Sequence, residues 1–413
     1  MRATFKVNGP ASVMLLLALM TLPAAVRGQE FLDELDRHLH LKSNDGFFQA
    51  NLTGLLDLEG YYVDQRPPGL LYEDESFFNP RLTFFLDTRV GTHFYAFLQA
   101  RLDRGFDPGS EDFDARLDEY LVRWTPWDDH RLNLQFGKFA TVVGSWVQRH
   151  DSWQNPLINA PLPYENLTPV SYDYVPSSPA EFLYGRHVPD NKDSWLPIIW
   201  GPVYTTGFSI FGSLGKFDYG FDLKNAAISS HPYSWDLDEY YWRYPTVSGR
   251  LGFRPSEAWN HGVSFSLGPY LSPDVGDQLP TGKSIRDYDQ YTLGYDISYA
   301  WKKWQWWGEV FLSRFEVPNV GNADVLAYYI EAKYKLTAGL FAAARWNQEL
   351  YGQINNGAGG EEPWGNDMYR IDVALGYRFT RHLQSKLQYS FGHRAGDLQQ
   401  GEQLVAAQVT VNF

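Results

Sequence analysis

The chain contains no cysteine in its 413 residues, which excludes disulfides, thiolate metal sites and a cysteine nucleophile. Beyond the N-terminus it lacks any apolar run of about eighteen residues, so no segment can cross a membrane as a helix. Positive charge is scarce, with 35 Lys and Arg against 49 Asp and Glu and a formal charge of −14. That balance excludes a phosphate-binding surface and hence nucleic acid as a partner. No repeat of about forty residues is visible, which argues against a β-propeller.

Aromatic residues, by contrast, are abundant: 27 Tyr, 27 Phe and 15 Trp make up 17% of the chain, while mean hydropathy is only −0.38. Membrane-spanning β-barrels combine these properties, because aromatic girdles flank an apolar outer band while the interior stays polar. The first residues read as a targeting segment. Arg2 and Lys6 precede an apolar stretch from Ser12 to Leu22, too short to span a bilayer, and cleavage is expected before Gln29. Removing residues 1–28 takes out Arg2, Lys6 and Arg27 and leaves a formal charge of about −17. Residues 29–46 are charged, with Phe31, Leu32, Leu35 and Leu39 at helical spacing, and read as a short periplasmic helix or coil.

After Gly46 the apolar period becomes two. Tyr369, Ile371, Val373, Leu375 and Tyr377 point one way, while Arg370, Asp372, Ala374, Gly376 and Arg378 point the other. Such alternation requires an apolar environment on one face and a polar one on the other. Strands are expected over 47–61, 80–90, 92–106, 114–125, 130–139, 203–212, 216–226 and 246–255. Eight more are expected over 260–270, 288–301, 304–315, 324–335, 337–349, 367–379, 382–393 and 402–413. The fold class is all-β, a transmembrane antiparallel up-and-down barrel over 47–413 with about sixteen strands. Connections alternate between short turns, as at Gly91 or Lys302–Lys303, and long loops, as at 62–79, 227–245, 271–287 and 350–366. The third long connection, 140–202, is far above the usual loop length, and its many Trp and Tyr residues argue against disorder. It is expected to fold onto the barrel interior.

The C-terminus carries a family resemblance. Phe413 is terminal, and Val405, Ala407, Val409 and Val411 occupy alternate positions before it. This resembles the assembly signal read by the barrel insertion machinery. With the targeting segment, the loop order and the stretch Leu134 to Gly144, the chain is similar to the Gram-negative outer-membrane porin superfamily, in particular its sixteen-stranded general and substrate-selective members. The resemblance implies a third loop that folds inward to set the narrowest point, insertion among outer-membrane lipid and lipopolysaccharide, small hydrophilic solutes as cargo, a homotrimer and no cofactor.

By parity, the basic residues of the lumen are Arg81, Arg89, Arg101, Arg123, Arg250 and Arg254, joined by Lys333, Arg345, Arg370, Arg378 and Lys386. The acidic ones are Asp57, Glu59, Asp87, Asp103 and Glu119, then Asp222, Asp296, Glu309, Glu331 and Asp372. They either form facing walls of opposite sign, which would set ion preference, or pair with cross-strand neighbours. Within 140–202, Trp146, Arg149, Trp153 and Tyr164 are expected to line the constriction, where rings beside charged groups suit sugar stacking. The alternative is that the rings anchor the loop to the wall. An enzyme is disfavoured: the histidines lie in no recognisable nucleophile motif, and His38 and His40 have no third metal ligand nearby. A plugged receptor needs a large N-terminal domain, for which 29–46 is too short. A non-conducting adhesive or structural barrel is the remaining alternative.

Overall fold

The computed structural model describes residues 29–64, 76–105, 113–187, 194–236, 242–396 and 401–413. The targeting segment expected over 1–28 lies outside them. Sixteen long strands are present: β1 (Phe48–Val63), β2 (Ser76–Val90), β3 (Phe94–Asp103), β4 (Asp114–Trp124), β5 (Asn133–Phe139), β6 (Thr205–Leu214), β7 (Phe217–Lys224) and β8 (Thr246–Ser256), then β9 (Trp259–Pro269), β10 (Asp289–Trp301), β11 (Trp304–Val317), β12 (Gly321–Lys335), β13 (Leu340–Tyr351), β14 (Met368–Arg378), β15 (Leu383–Arg394) and β16 (Gly401–Asn412). Each pairs antiparallel with its neighbours in sequence, as in β2 with β3 and β10 with β11. β1 also pairs with β16, from Leu55 opposite Asn412 to Val63 opposite Leu404, and this closes the ring.

Closure leaves no edge strand, so every ladder N–H and C=O can be satisfied without water, as a membrane-spanning sheet requires. The two faces differ as period-two alternation demands. In β10, Tyr291, Leu293 and Tyr295 are exposed, whereas Gln290, Thr292 and Asp296 are buried. Phe84 and Leu86, Phe94, Phe221, Ile371, Val373 and Leu375 are likewise exposed and apolar. Such a continuous apolar exterior belongs in lipid rather than water. Near the short turns the exposed rings cluster. Trp259 lies 4.1 Å from Tyr299, Trp304 lies 4.5 Å from Tyr334, and Phe217 lies 5.0 Å from Phe253. Tyr and Trp rings gather at such a height because they are apolar in body and polar at the tip.

Three features depart from the sequence pattern. Between β3 and β4 the register shifts at Gln99 and Ala100, so Asp118 is an extra residue and parity reverses above it. The connection between β11 and β12 is only Pro318 to Val320, because both strands run beyond the expected ends. The N-terminal segment forms a helix over 29–38 followed by a short strand, His40–Lys42, that pairs with β1 instead of continuing as helix or coil. Asp33 of that helix ties it to the turn between β14 and β15, accepting from Arg381 Nε at 2.8 Å and lying 2.7 Å from His382 Nε2.

Candidate functional site

The third connection leaves β5 and meets the polar side chains of strands on both halves of the ring. Glu119 of β4 accepts the N–H of Ala140 at 3.0 Å, and Asp222 of β7 accepts that of Val142 at 3.1 Å. Gly144 (φ 78°) makes the next bend, and a Cβ there would strike the Tyr164 hydroxyl. The chain then reaches β11, where Glu309 accepts from the N–H groups of Ser145 and Trp146, the Ser145 hydroxyl and the Tyr164 hydroxyl. Arg149 donates to Glu331 of β12 at 2.6 Å and to the Tyr329 hydroxyl, with the Trp307 ring 4.4 Å away. Lys386 of β15 donates to the carbonyls of Ser152, Asn155 and Leu157 at 2.8, 2.9 and 3.1 Å. Arg345 of β13 reaches Asn159 and Ala160, and Arg370 of β14 pairs with Glu165. A segment that touches β4, β7 and β11–β15 on their polar faces must lie within the ring.

These contacts decide what the loop's rings do. Tyr164 is fully buried, and Trp146 packs on it at 4.8 Å. With Val143, Leu167, Trp200 and Tyr204 they form one apolar core against Phe311 and Tyr329 of the wall. Trp146, Tyr164 and Arg149 therefore hold the loop down and do not face open space. The expectation that they line the narrowest point is corrected, because a buried ring anchored by a buried carboxylate gives up its contacts if it turns outward. Trp153 instead carries the Arg378 guanidinium 4.4 Å over its ring. The side of the loop that faces a cavity is Val147, Gln148, His150, Asp151 and Ser152. Nothing in the alternation of the strands could have indicated which loop face looks outward.

The charges of the strands pair far more than they segregate. Arg81 meets Asp57 at 3.2 Å and Glu59 at 2.6 Å. Arg345 joins Asp372 and Glu331, and Arg370 also joins Asp372. Arg250 bridges Asp296 and Asp218 at 2.7 Å each, and Arg254 meets Asp218 at 3.3 Å. Asp103 pairs with Arg116, while Asp118 pairs with both Arg101 and Arg116. Parity missed Arg116 and Asp118 because the β4 bulge turns them inward. Also missed were Asp218, Glu349, which accepts from Asn166 and the Tyr351 hydroxyl at 2.8 Å, and Lys224, whose ammonium sits 3.4 Å over the Phe139 ring. Asp87 accepts from the Tyr95 hydroxyl. Arg89 is exposed near the end of β2, and Lys333 lies 4.4 Å over the Phe341 ring. Val405, Val409 and Val411 alternate with buried Ala406, Gln408 and Thr410. Phe413 exchanges backbone hydrogen bonds with Gly54 and sets its ring 6.1 Å from Phe84.

Among the described residues, cavities lie between the loop and β1–β8. One, of about 360 Å³, is bounded by Asp57, Arg81, Phe85, Phe97, Gln99, Arg101 and Glu119 on the wall side. Another, of about 410 Å³, lies nearer the short turns and is bounded by Arg123, Asn133, Phe211, Ser213 and Arg250. Thr141 and Gln148 line both. A ring of about this strand number has room for a water-filled passage, and the loop occupies part of that room. Among the described residues no group of three His, Cys, Asp or Glu is placed to hold a metal.

The ring and its folded-in loop define the fold of the sixteen-stranded porin-type barrels. The chain is similar in structure to OmpT, an outer membrane protein of Vibrio cholerae, with TM-score 0.55 at 9% identity, covering 91% of this chain and 99% of that one. It is also similar to an anion-selective porin from Comamonas acidovorans (TM-score 0.55, 10% identity, 89% and 100% covered). A third likeness is to the outer membrane channel DcaP of Acinetobacter baumannii (TM-score 0.54, 11% identity, 90% and 99% covered). No protein-family model matches the sequence, and no curated protein matches it.

Proposed function

We propose that the chain is an outer-membrane porin, exported with removal of residues 1–28, that lets small hydrophilic solutes diffuse through a water-filled lumen. The observation that supports this best is the inversion of faces. An apolar wall looks out, and polar strands look in upon two cavities that share Thr141 and Gln148. A soluble barrel would bury the apolar face, and a non-conducting one would fill the space beside β1–β8. In this reading Val147, Gln148, His150, Asp151 and Ser152 set the narrowest point. Lipid and lipopolysaccharide cover the outer face, and the alternating C-terminal strand ending in Phe413 is read by the barrel insertion machinery. A homotrimer is part of the proposal, since OmpT of Vibrio cholerae has a trimer form with the same fold (TM-score 0.52, 9% identity). No catalytic role is proposed.

Osmotic swelling of proteoliposomes tests the reading. Vesicles carrying the refolded chain should swell quickly in a pentose, more slowly in a disaccharide and not in a large oligosaccharide. Absence of swelling in every sugar, from a heat-modifiable folded barrel, would contradict an open lumen.

A further inference from the structure

Arg123 differs from the ion-paired interior arginines. Its Nε and one Nη donate to the neutral Gln135 carbonyl oxygen at 3.0 and 2.8 Å. Among the described residues it has no carboxylate within ion-pair distance, whereas Arg81, Arg101, Arg250, Arg345 and Arg370 each have one. Its guanidinium lies instead over two rings, 5.0 Å from the Tyr95 centroid and 4.9 Å from that of Phe211. Rings stabilise a cation without cancelling its charge. The nearby carboxylates are engaged elsewhere. Asp87 takes the Tyr95 hydroxyl, Glu119 takes the Ala140 N–H, and Asp218 is shared by Arg250 and Arg254.

The rings continue past Arg123. Tyr95 lies 6.4 Å from Phe97 at 11° between planes, and Phe97 lies 6.3 Å from Phe85 at 22°. Phe85, Tyr95 and Phe97 occupy positions on the polar face of β2 and β3, in phase with Arg81 and Gln99, where alternation calls for polar residues. Phe85 and Phe97 line the first cavity, and Arg123 and Phe211 line the second. An apolar strip thus descends one wall of the passage and ends at a cation that keeps donor capacity.

We infer that Arg123 and this strip form a binding site for carboxylates that carry a flat apolar ring. The carboxylate takes the free edge of the Arg123 guanidinium, and the ring lies along Phe97 and Phe85. A guanidinium matches a carboxylate with two parallel hydrogen bonds, and rings favour offset contact with other rings. The inference rests on the porin reading and adds a solute class to it.

Planar-bilayer recordings of the refolded chain test it, with sodium benzoate, sodium acetate and a potassium chloride gradient as probes. The wild type should prefer chloride to potassium, and benzoate should reduce chloride conductance at concentrations where acetate does not. Arg123→Gln should lower the anion preference several-fold and abolish the benzoate effect. Phe85→Leu with Phe97→Leu should weaken the benzoate effect. If Arg123→Gln fails to fold, Arg123→Lys serves: it should retain anion preference and lose discrimination of benzoate from acetate. A silent wild type would overturn the porin reading itself. A conducting wild type whose selectivity and benzoate response are untouched by these changes would overturn the site alone.

Discussion

Val373 and Ala374 are neighbours in β14 whose side chains leave opposite faces of the wall. Val373 is 44% exposed on the apolar side, and Ala374 is 7% exposed and packs with Ala343 and loop residue Leu157. Val373→Arg should cost about 2–4 kcal/mol in lipid, measured by urea titration in vesicles. Parity alone implies that Ala374→Arg is harmless because it faces water. The packing of Leu157 changes that expectation: the larger side chain should displace the loop and alter conductance while leaving the lipid face intact. Equal unfolding costs with no change of conductance would contradict the assignment of faces. Alternation therefore made the direction of Val373 and Ala374 legible, because it depends only on residue spacing. It could not supply Leu157, which arrives from more than two hundred residues away, nor Asp118, whose direction depends on a bulge.

Among the elements, the loop after β5 depends most on a few interior carboxylates. Glu309 gathers four donors from Ser145, Trp146 and Tyr164. Glu309→Ala would orphan them, at about 1–3 kcal/mol for each buried group left without a partner. The expected result is a larger and noisier single-channel conductance with the barrel still folded; an unchanged current would show that the loop is held by its apolar core alone. The helix over 29–38 makes a different prediction. Asp33 is held below its ordinary value of 3.8 by hydrogen bonds from His382 and Arg381. A depressed carboxylate contributes its contact above that ordinary value and loses it as the pH falls through the depressed one. Amide exchange over 29–38 should therefore accelerate in acid, and Asp33→Asn should show the same acceleration at neutral pH. Exchange indifferent to both changes would rule the tether out. The strands themselves were visible in the sequence, each end lying within a few residues of its expected place. The function of the rings in 140–202 was not. Aromatic composition says that the segment folds, but only contacts show that Trp146 and Tyr164 anchor it while Gln148 and Asp151 face the cavity.

At the scale of the molecule, ion pairs and ring-backed cations occupy different places. Carboxylates neutralise Arg81, Arg345 and Arg370, whereas Arg123, Lys333 and Arg378, all near the short-turn ends of their strands, rest on rings. The sequence shows both signs in similar numbers and so leaves their pairing open; the ring's register determines it. A porin requires the lumen to be continuous past the loop. The most direct test is single-channel recording of the refolded mature chain in a planar bilayer, with wild type and Glu309→Ala compared at equal salt. The wild type should show steady ohmic steps and the variant larger, less steady ones. A correctly folded wild-type barrel that passes no current would rule out an open lumen, because the spaces beside β1–β8 would then be closed pockets and not a passage.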